Sequence, residues 1–327
     1  MPKGFYTQGV AVLLKAPITI DEVRGLLEGF EITGQREPSP EPWQGGPMLT
    51  LEYRPKVNGS IQIDVVNRPW PDSMGGRNDD PALFAAWGQG HFGPFCFPGS
   101  LARACQYCFT WKEGPQVALS HQAFLRIRFT YTEPGAPEPA PLPRDYKPLD
   151  ECEQMLALAE ALSEHPAALC YFNPNGEVLS SPENLARICD HYHKQGVPAV
   201  NMLANHRLVK FEGGDWMMLD TVGLGQLDLV DLEACFTSSY DPNQVATFLM
   251  NTAVAMSKPG SPKVKHGHTV TGPKGKLFEA RDFEQAKLVP PRATKRFRPR
   301  DGSVSPEDLG FGTKPLGKSA WWQFWKL

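Results

Sequence analysis

The 327-residue chain has no apolar run long enough to cross a bilayer. Its start, Met1-Pro2-Lys3-Gly4-Phe5, also lacks the apolar stretch that follows a basic segment in a signal peptide. These absences predict a cytoplasmic protein with no membrane partner. Cysteine is sparse and odd in number. The seven thiols at 96, 105, 108, 152, 170, 189 and 235 fit reduced, mostly buried side chains better than a disulfide framework. Signatures of known chemistry are missing as well. There is no G-x-S-x-G, no P-loop and no H-E-x-x-H, and Gly223-Leu224-Gly225-Gln226-Leu227 falls short of the dinucleotide fingerprint. The sequence therefore assigns no catalytic residue and no cofactor.

A hydrophobic content of 41% is enough for one large core or two of ordinary size, without a disulfide or metal staple. The formal charge of -3 is unevenly spread. Residues 287–327 hold nine Lys or Arg against three Asp or Glu, which leaves residues 1–286 near -9. An acidic body disfavours nucleic acid and suits a basic partner, and it is equally what ordinary solubility requires.

The patterning predicts an α+β fold of two lobes, each built from antiparallel hairpins with packed helices. Val10–Leu14 reads as a strand. Thr19-Ile20-Asp21-Glu22 carries the reciprocal capping pattern of a helix start. Met48–Tyr53 and Ser60–Val66 alternate as a hairpin across Asn58-Gly59, and Asp80-Pro81 opens a helix. His121–Tyr131 is the clearest strand of the first half. Further on, Leu149–Glu164 has Met155, Leu158, Ala159 and Leu162 on one helical face, and Leu169–Phe172 is a short strand. Ser181-Pro182 starts a helix that stops at Gly196. Arg207–Phe211 and Trp216–Thr221 form a second hairpin, and Asp241-Pro242 opens a helix to about Ser257. Both halves thus place a hairpin before an Asp-Pro helix start, a recurrence that duplication or chance explains equally well. The Pro-rich residues 133–148 read as a linker between an N-terminal lobe, 1–132, and a C-terminal lobe, 149–286. Residues 287–327 read as an irregular basic tail ending in Trp321, Trp322, Phe324 and Trp325, aromatics that either pack back or dock elsewhere.

No constellation compels an enzymatic reading. Cys105-Gln106-Tyr107-Cys108 has redox or half-zinc spacing but no second pair. His191 and His193 point to different faces of a helix, and His266 with His268 read as polar surface, so no metal site is assigned. The carboxylates Asp220, Asp228, Asp231 and Glu233 crowd one segment. They read either as a solvated face or as an acid-base group of unfamiliar spacing.

Four segments taken together carry a resemblance: Asp64–Gly75 (DVVNRPWPDSMG), Phe92–Gly99 (FGPFCFPG), Ala168–Glu177 (ALCYFNPNGE) and Leu219–Gly223 (LDTVG). In that order they resemble a family of uncharacterised proteobacterial proteins that bear a domain of unknown function and are often encoded beside spike-protein genes of type VI secretion systems. The resemblance runs from about Gly4 to Pro291. It implies an effector, an adaptor that loads one, or an immunity protein that blocks a toxin in the producer's cytoplasm. The expected function is non-catalytic binding of a secreted toxin or spike-associated protein. An effector or hydrolase, or a scaffold that self-associates through the Trp-rich end, stand as alternatives. The expected partner-binding residues are Trp70, Asp72, Asp79, Asp80 and Trp87, on and beside the irregular loop 67–80, together with the terminal aromatics. For Trp70 and Trp87 core packing is the competing reading.

Overall fold

The computed structural model describes residues 3–302 apart from 40–42, 44, 212–213, 259 and 262, together with a strand at 313–315. The chain divides into two units, Met1–Leu203 and Ala204–Leu327, each with helices around one seven-stranded sheet. The α+β class expected from patterning is the class observed.

In the first unit the strands are β1 (Gln8–Leu14), β2 (Ile32–Arg36), β3 (Met48–Glu52), β4 (Ser60–Val66), β5 (Ala123–Thr130), β6 (Ala168–Asn173) and β7 (Val178–Ser180). They lie in the order β2-β3-β4-β5-β1-β6-β7, and every neighbouring pair is antiparallel. The helices are α1 (Ile20–Gly25), α2 (Pro81–Gly88), α3 (Ser100–Gln106), α4 (Gly114–Leu119), α5 (Pro148–Ser163), α6 (Pro182–Gln195) and α7 (Val200–Leu203).

Local chemistry sets their limits. Thr19 and Glu22 form the expected capping box of α1, and the Asp80 carboxylate accepts the Leu83 N–H at the start of α2. Helix α6 ends where Gly196 turns left-handed at φ 62°. Helices α5 and α6 pack on β1 and β6. A second core gathers Leu13, Phe124 and Phe172 with Trp43, Trp70, Trp87 and Phe92. Trp70 meets the rings of Phe92, Phe124 and Phe172 at centroid distances of 5.3, 5.1 and 5.0 Å, so its truncation would cost about 3–5 kcal/mol.

The Pro-rich residues 133–148 do not separate two units. The Ala140 N–H donates to Thr132 Oγ1, Asp145 pairs with Arg54 at 2.6 Å, and Tyr146 packs edge-on against Tyr131. The stretch runs along the first unit because the edge of β1 away from β5 is paired by β6, which lies beyond the prolines. Backbone pairing of distant strands decides this boundary, and composition carries no trace of it.

The second unit orders its strands β11-β12-β13-β10-β9-β8-β14. They are β8 (Asn205–Phe211), β9 (Trp216–Val222), β10 (Asp231–Thr237), β11 (Thr269–Thr271), β12 (Leu277–Phe283), β13 (Thr294–Pro299) and β14 (Thr313–Pro315). Helix α8 (Pro242–Ser257), opened by Asp241, packs on β9 and β10. The pair β10–β13 is parallel, a junction with no counterpart in the all-antiparallel first sheet. The recurrent hairpin therefore sits in two different topologies.

Strand β13 is the main departure from the sequence reading. Thr-Lys-Arg-Phe-Arg-Pro lies in the stretch expected to be an irregular basic tail, yet it is buried between β10 and β12. Its cations looked solvated because their carboxylate partners come from other strands. A chain ending at residue 286 is therefore expected to lose the cooperative unfolding of the second unit, read as loss of near-UV circular dichroism and exposure of Trp216, which is buried in the full chain. Retention of that transition would count against β13 as a structural strand.

Candidate functional site

Arg126 and Arg128 alternate with apolar residues on β5, a position where a charge is ordinarily excluded from the interior. The register explains how they are tolerated. Asp64 on β4 lies opposite Arg126, and Gln62 lies opposite Arg128, so these four side chains share one face. On the other flank of β5, Gly9 and Ala11 face Arg128 and Arg126, and their small side chains leave room above the sheet. Along this face the residue pairs pass from Val66/Phe124 in the core, through Asp64/Arg126 and Gln62/Arg128, to Ser60/Thr130.

The Asp64 carboxylate binds Arg126 through two parallel bonds, Nε to Oδ1 at 3.1 Å and Nη2 to Oδ2 at 2.7 Å. It also accepts Arg128 Nη2 at 3.1 Å and the Gly46 N–H at 3.0 Å. Burial alone would raise its pKa, but the two guanidiniums outweigh burial and hold it at about 2. Gly46 is required by the space available. A Cβ there would lie 1.6 Å from the Val65 carbonyl oxygen.

Above Arg128 lies a cavity of about 540 Å³ whose lining includes Tyr6, Met48, Gln62, His91, Arg128 and Thr130. Arg36, Glu37 and Glu133 supply charge at its exposed rim. His91 is set in place by a chain of close approaches. The Asn175 side chain donates to the Gly9 carbonyl and accepts the Phe95 N–H, pinning the loop 90–95 over β1. The loop can come this close because Gly93 has no side chain. A Cβ there would meet Asn175 Oδ1 at 2.5 Å.

An arginine can only donate, so its 2.8 Å contact makes His91 Nδ1 an acceptor. The ring proton then sits on Nε2 and is donated to Gln89 Oε1 at 3.1 Å. Both ring nitrogens are committed, Arg128 stays protonated, and Asp64 is fully hydrogen-bonded. This floor can hold a negative charge and is poorly arranged to move a proton.

The second unit buries a larger network with a balanced charge. Asp220 pairs with Arg207 and Arg292, Asp231 with Arg292, and Glu233 with Arg296. Three carboxylates thus meet three guanidiniums. Arg292 is further held by the carbonyls of Leu288, Pro290 and Thr221, so the segment before β13 roofs the network. Of the crowded carboxylates, Asp220, Asp231 and Glu233 are not a solvated face, being buried against guanidiniums. Asp228 is exposed, in a left-handed turn. The acidic body and basic tail of the sequence are partners within this network.

The sequence-predicted binding residues are dispersed. Trp70 and Trp87 are buried in the core, with Trp87 Nε1 donating to the Ser73 carbonyl at 3.0 Å. Asp72 accepts the N–H groups of Leu101 and Ala102 at the start of α3, and Asp80 caps α2. Asp79 alone of the five is exposed. Four of these five side chains are therefore held by packing or capping bonds within the fold, with Asp72 and Asp80 still partly exposed. Trp321, Trp322, Phe324 and Trp325 lie outside the described residues. The seven cysteines are free thiols, and among the described residues no cluster of His, Cys, Asp and Glu is arranged to hold a metal. Asp64, Arg126, Arg128 and His91 form a group that the sequence reading does not single out. The signal for them was the Arg-Ile-Arg alternation in an otherwise apolar strand.

A domain of unknown function, DUF4261, is found at residues 220–298, from the buried carboxylate of β9 to the end of β13. It covers the charge network of the second unit except Arg207, and about a quarter of the chain, far less than the span of the resemblance read from the sequence. No curated protein matches the chain. No solved structure matches it either. Of the four segments that carry the resemblance, Asp64–Gly75, Phe92–Gly99 and Ala168–Glu177 come together in the first unit, where the Gly99 N–H donates to the Asp72 carbonyl at 2.6 Å and the Phe95 N–H to Asn175 Oδ1 at 2.9 Å.

Two outcomes are expected of these networks. Replacing Asp64→Asn leaves Arg126 and Arg128 without their counter-charge and should destabilise the first unit by about 3–5 kcal/mol in urea unfolding. A change below about 1 kcal/mol would show that the pairing is dispensable. His206 in the second unit, with its Nε2 enclosed, is pushed down to about 4 by burial. Its folded pKa lies below the unfolded value, so the unfolded state binds the proton more tightly. That contribution to stability is complete above about pH 6.5, declines as pH falls towards 4, and is flat below. The His206→Asn variant should lose this part of the slope in a pH series of unfolding midpoints, and an unchanged slope would contradict the assignment.

Proposed function

We propose that this protein works by binding another protein through a preformed surface, without catalysing a reaction, and that it serves type VI secretion as an immunity or adaptor protein for a secreted toxin. The observation that carries the binding reading is the cavity of the first unit, whose polar floor is locked by its own hydrogen bonds. A floor of committed side chains is organised for recognition, since no reorganisation is needed when a partner group arrives. The secretion setting rests on the resemblance of the four segments, three of which build the cavity's surroundings.

The tagged full chain, co-expressed with the proteins encoded beside it and analysed by size-exclusion chromatography with mass spectrometry, is expected to elute as a stoichiometric complex with one of them. Loss of the partner's toxicity in that complex marks an immunity protein, and retained toxicity marks an adaptor. A chain that elutes alone from every co-expression, or that is toxic by itself, would overturn the reading.

A further inference from the structure

The buried cluster of Asp64, Arg126 and Arg128, of which Arg128 lines the cavity, holds one more positive charge than it neutralises. Asp64 accepts four hydrogen bonds, from Arg126 Nε and Nη2, Arg128 Nη2 and the Gly46 N–H, which fills the roughly four lone-pair positions of a carboxylate. Arg126 spends its remaining Nη1 on the Trp43 carbonyl at 3.0 Å. The surplus belongs to Arg128, which is 1% exposed. Its Nη1 donates to Tyr6 Oη at 3.0 Å and His91 Nδ1 at 2.8 Å, and its ring contact is with Tyr6 at 4.6 Å, all neutral groups. Its Nε–H has no partner. A buried cation with an unused donor carries a desolvation cost that a counter-ion removes.

We propose that the cavity is a binding site for a single carboxylate, taken up as the counter-ion of Arg128. The inference rests on the binding reading and adds the chemistry of the group recognised. Charge favours a carboxylate over a phosphate. The floor needs one negative charge, whereas a phosphate near neutral pH carries up to two and would enter a mouth where Glu37 and Glu133 outnumber Arg36. The exposed rim charges are weakened by water and salt, and the enclosed Arg128 is not, so the floor sets the preference for any group that reaches it. The volume of about 540 Å³ accommodates a carboxylate with the side chain or chain end that bears it.

The unmodified full chain is titrated with sodium acetate at constant ionic strength while the arginine Nε–H resonances are followed by NMR. One resonance, absent from Arg128→Lys, is expected to move saturably, with a Kd on the order of 1 mM. Inorganic phosphate is expected to bind roughly tenfold more weakly. Arg128→Lys disturbs the Asp64 cluster, so a second variant, Ala136→Trp, fills the cavity from its loop wall without touching an ion pair, and should abolish the shift while leaving the unfolding midpoint unchanged. Short peptides with a free C-terminal carboxylate, compared with their amides, separate the sources. Preference for the free acid over both the amide and acetate assigns the group to a partner chain, and binding of acetate with exclusion of peptides assigns it to a free small carboxylate. An absent or unsaturable shift, an equal shift in Ala136→Trp, or tighter binding of phosphate would overturn the carboxylate site. A protein partner captured equally well by Ala136→Trp, with no response to acetate, would sink this inference and leave the binding reading standing. A saturable acetate response in a chain that captures no partner would do the reverse.

Discussion

The guanidinium-carboxylate pair buried between adjacent strands is the interaction on which both units depend. A charge in a sheet interior is excluded unless it meets an opposite charge with well-directed hydrogen bonds, so each such residue fixes a register. Asp64 must lie opposite Arg126, and Asp220 beside Arg207. A slip of one residue would turn every one of these charges to the wrong face. In the second unit the same requirement draws in β13 and the segment before it, because Arg292 and Arg296 are the remaining partners of Asp220, Asp231 and Glu233.

The two networks differ in one respect that bears on function. The second balances its charges and is roofed by the chain itself, so it reads as a device of the fold. The DUF4261 match, residues 220–298, contains every member of that network except Arg207. The first sets two guanidiniums, Arg126 and Arg128, against the single carboxylate of Asp64 and opens onto a cavity. The rest of the first unit prepares that opening. Gly9 and Ala11 keep β1 low beside β5, Gly93 lets the loop approach Asn175, and His91 is held over the guanidinium in a single tautomer. The aromatic core of Trp70, Trp87 and Phe92 stands behind this loop and gives it a firm backing.

The strands and helices with regular apolar spacing were legible in the sequence, as were the caps at Thr19, Asp80, Ser181 and Asp241. Strands β10 and β13 were not, because buried charges mimic a solvated pattern until their partners are known. The same blindness concealed the candidate site. Asp64 and Arg126 are far apart in the chain, and His91 reaches Arg128 only through a loop pinned by Asn175. Conversely, Trp70, Asp72 and Asp80 stood out in the irregular loop for their residue type, and the fold uses all three for packing and capping.

What the sequence by itself determined is the α+β class, the positions of the hairpins, the capped helix starts and the absence of an apolar spanning run. These depend on contacts among residues close in the chain and on simple periodicity. Only the tertiary structure decided that the prolines at 133–148 are no boundary, that the basic stretch after 287 supplies a central strand, and that a surplus guanidinium faces a cavity. Each of these turns on pairing between strands distant in sequence, where the energy of a charge is set by the neighbour that the fold brings to it.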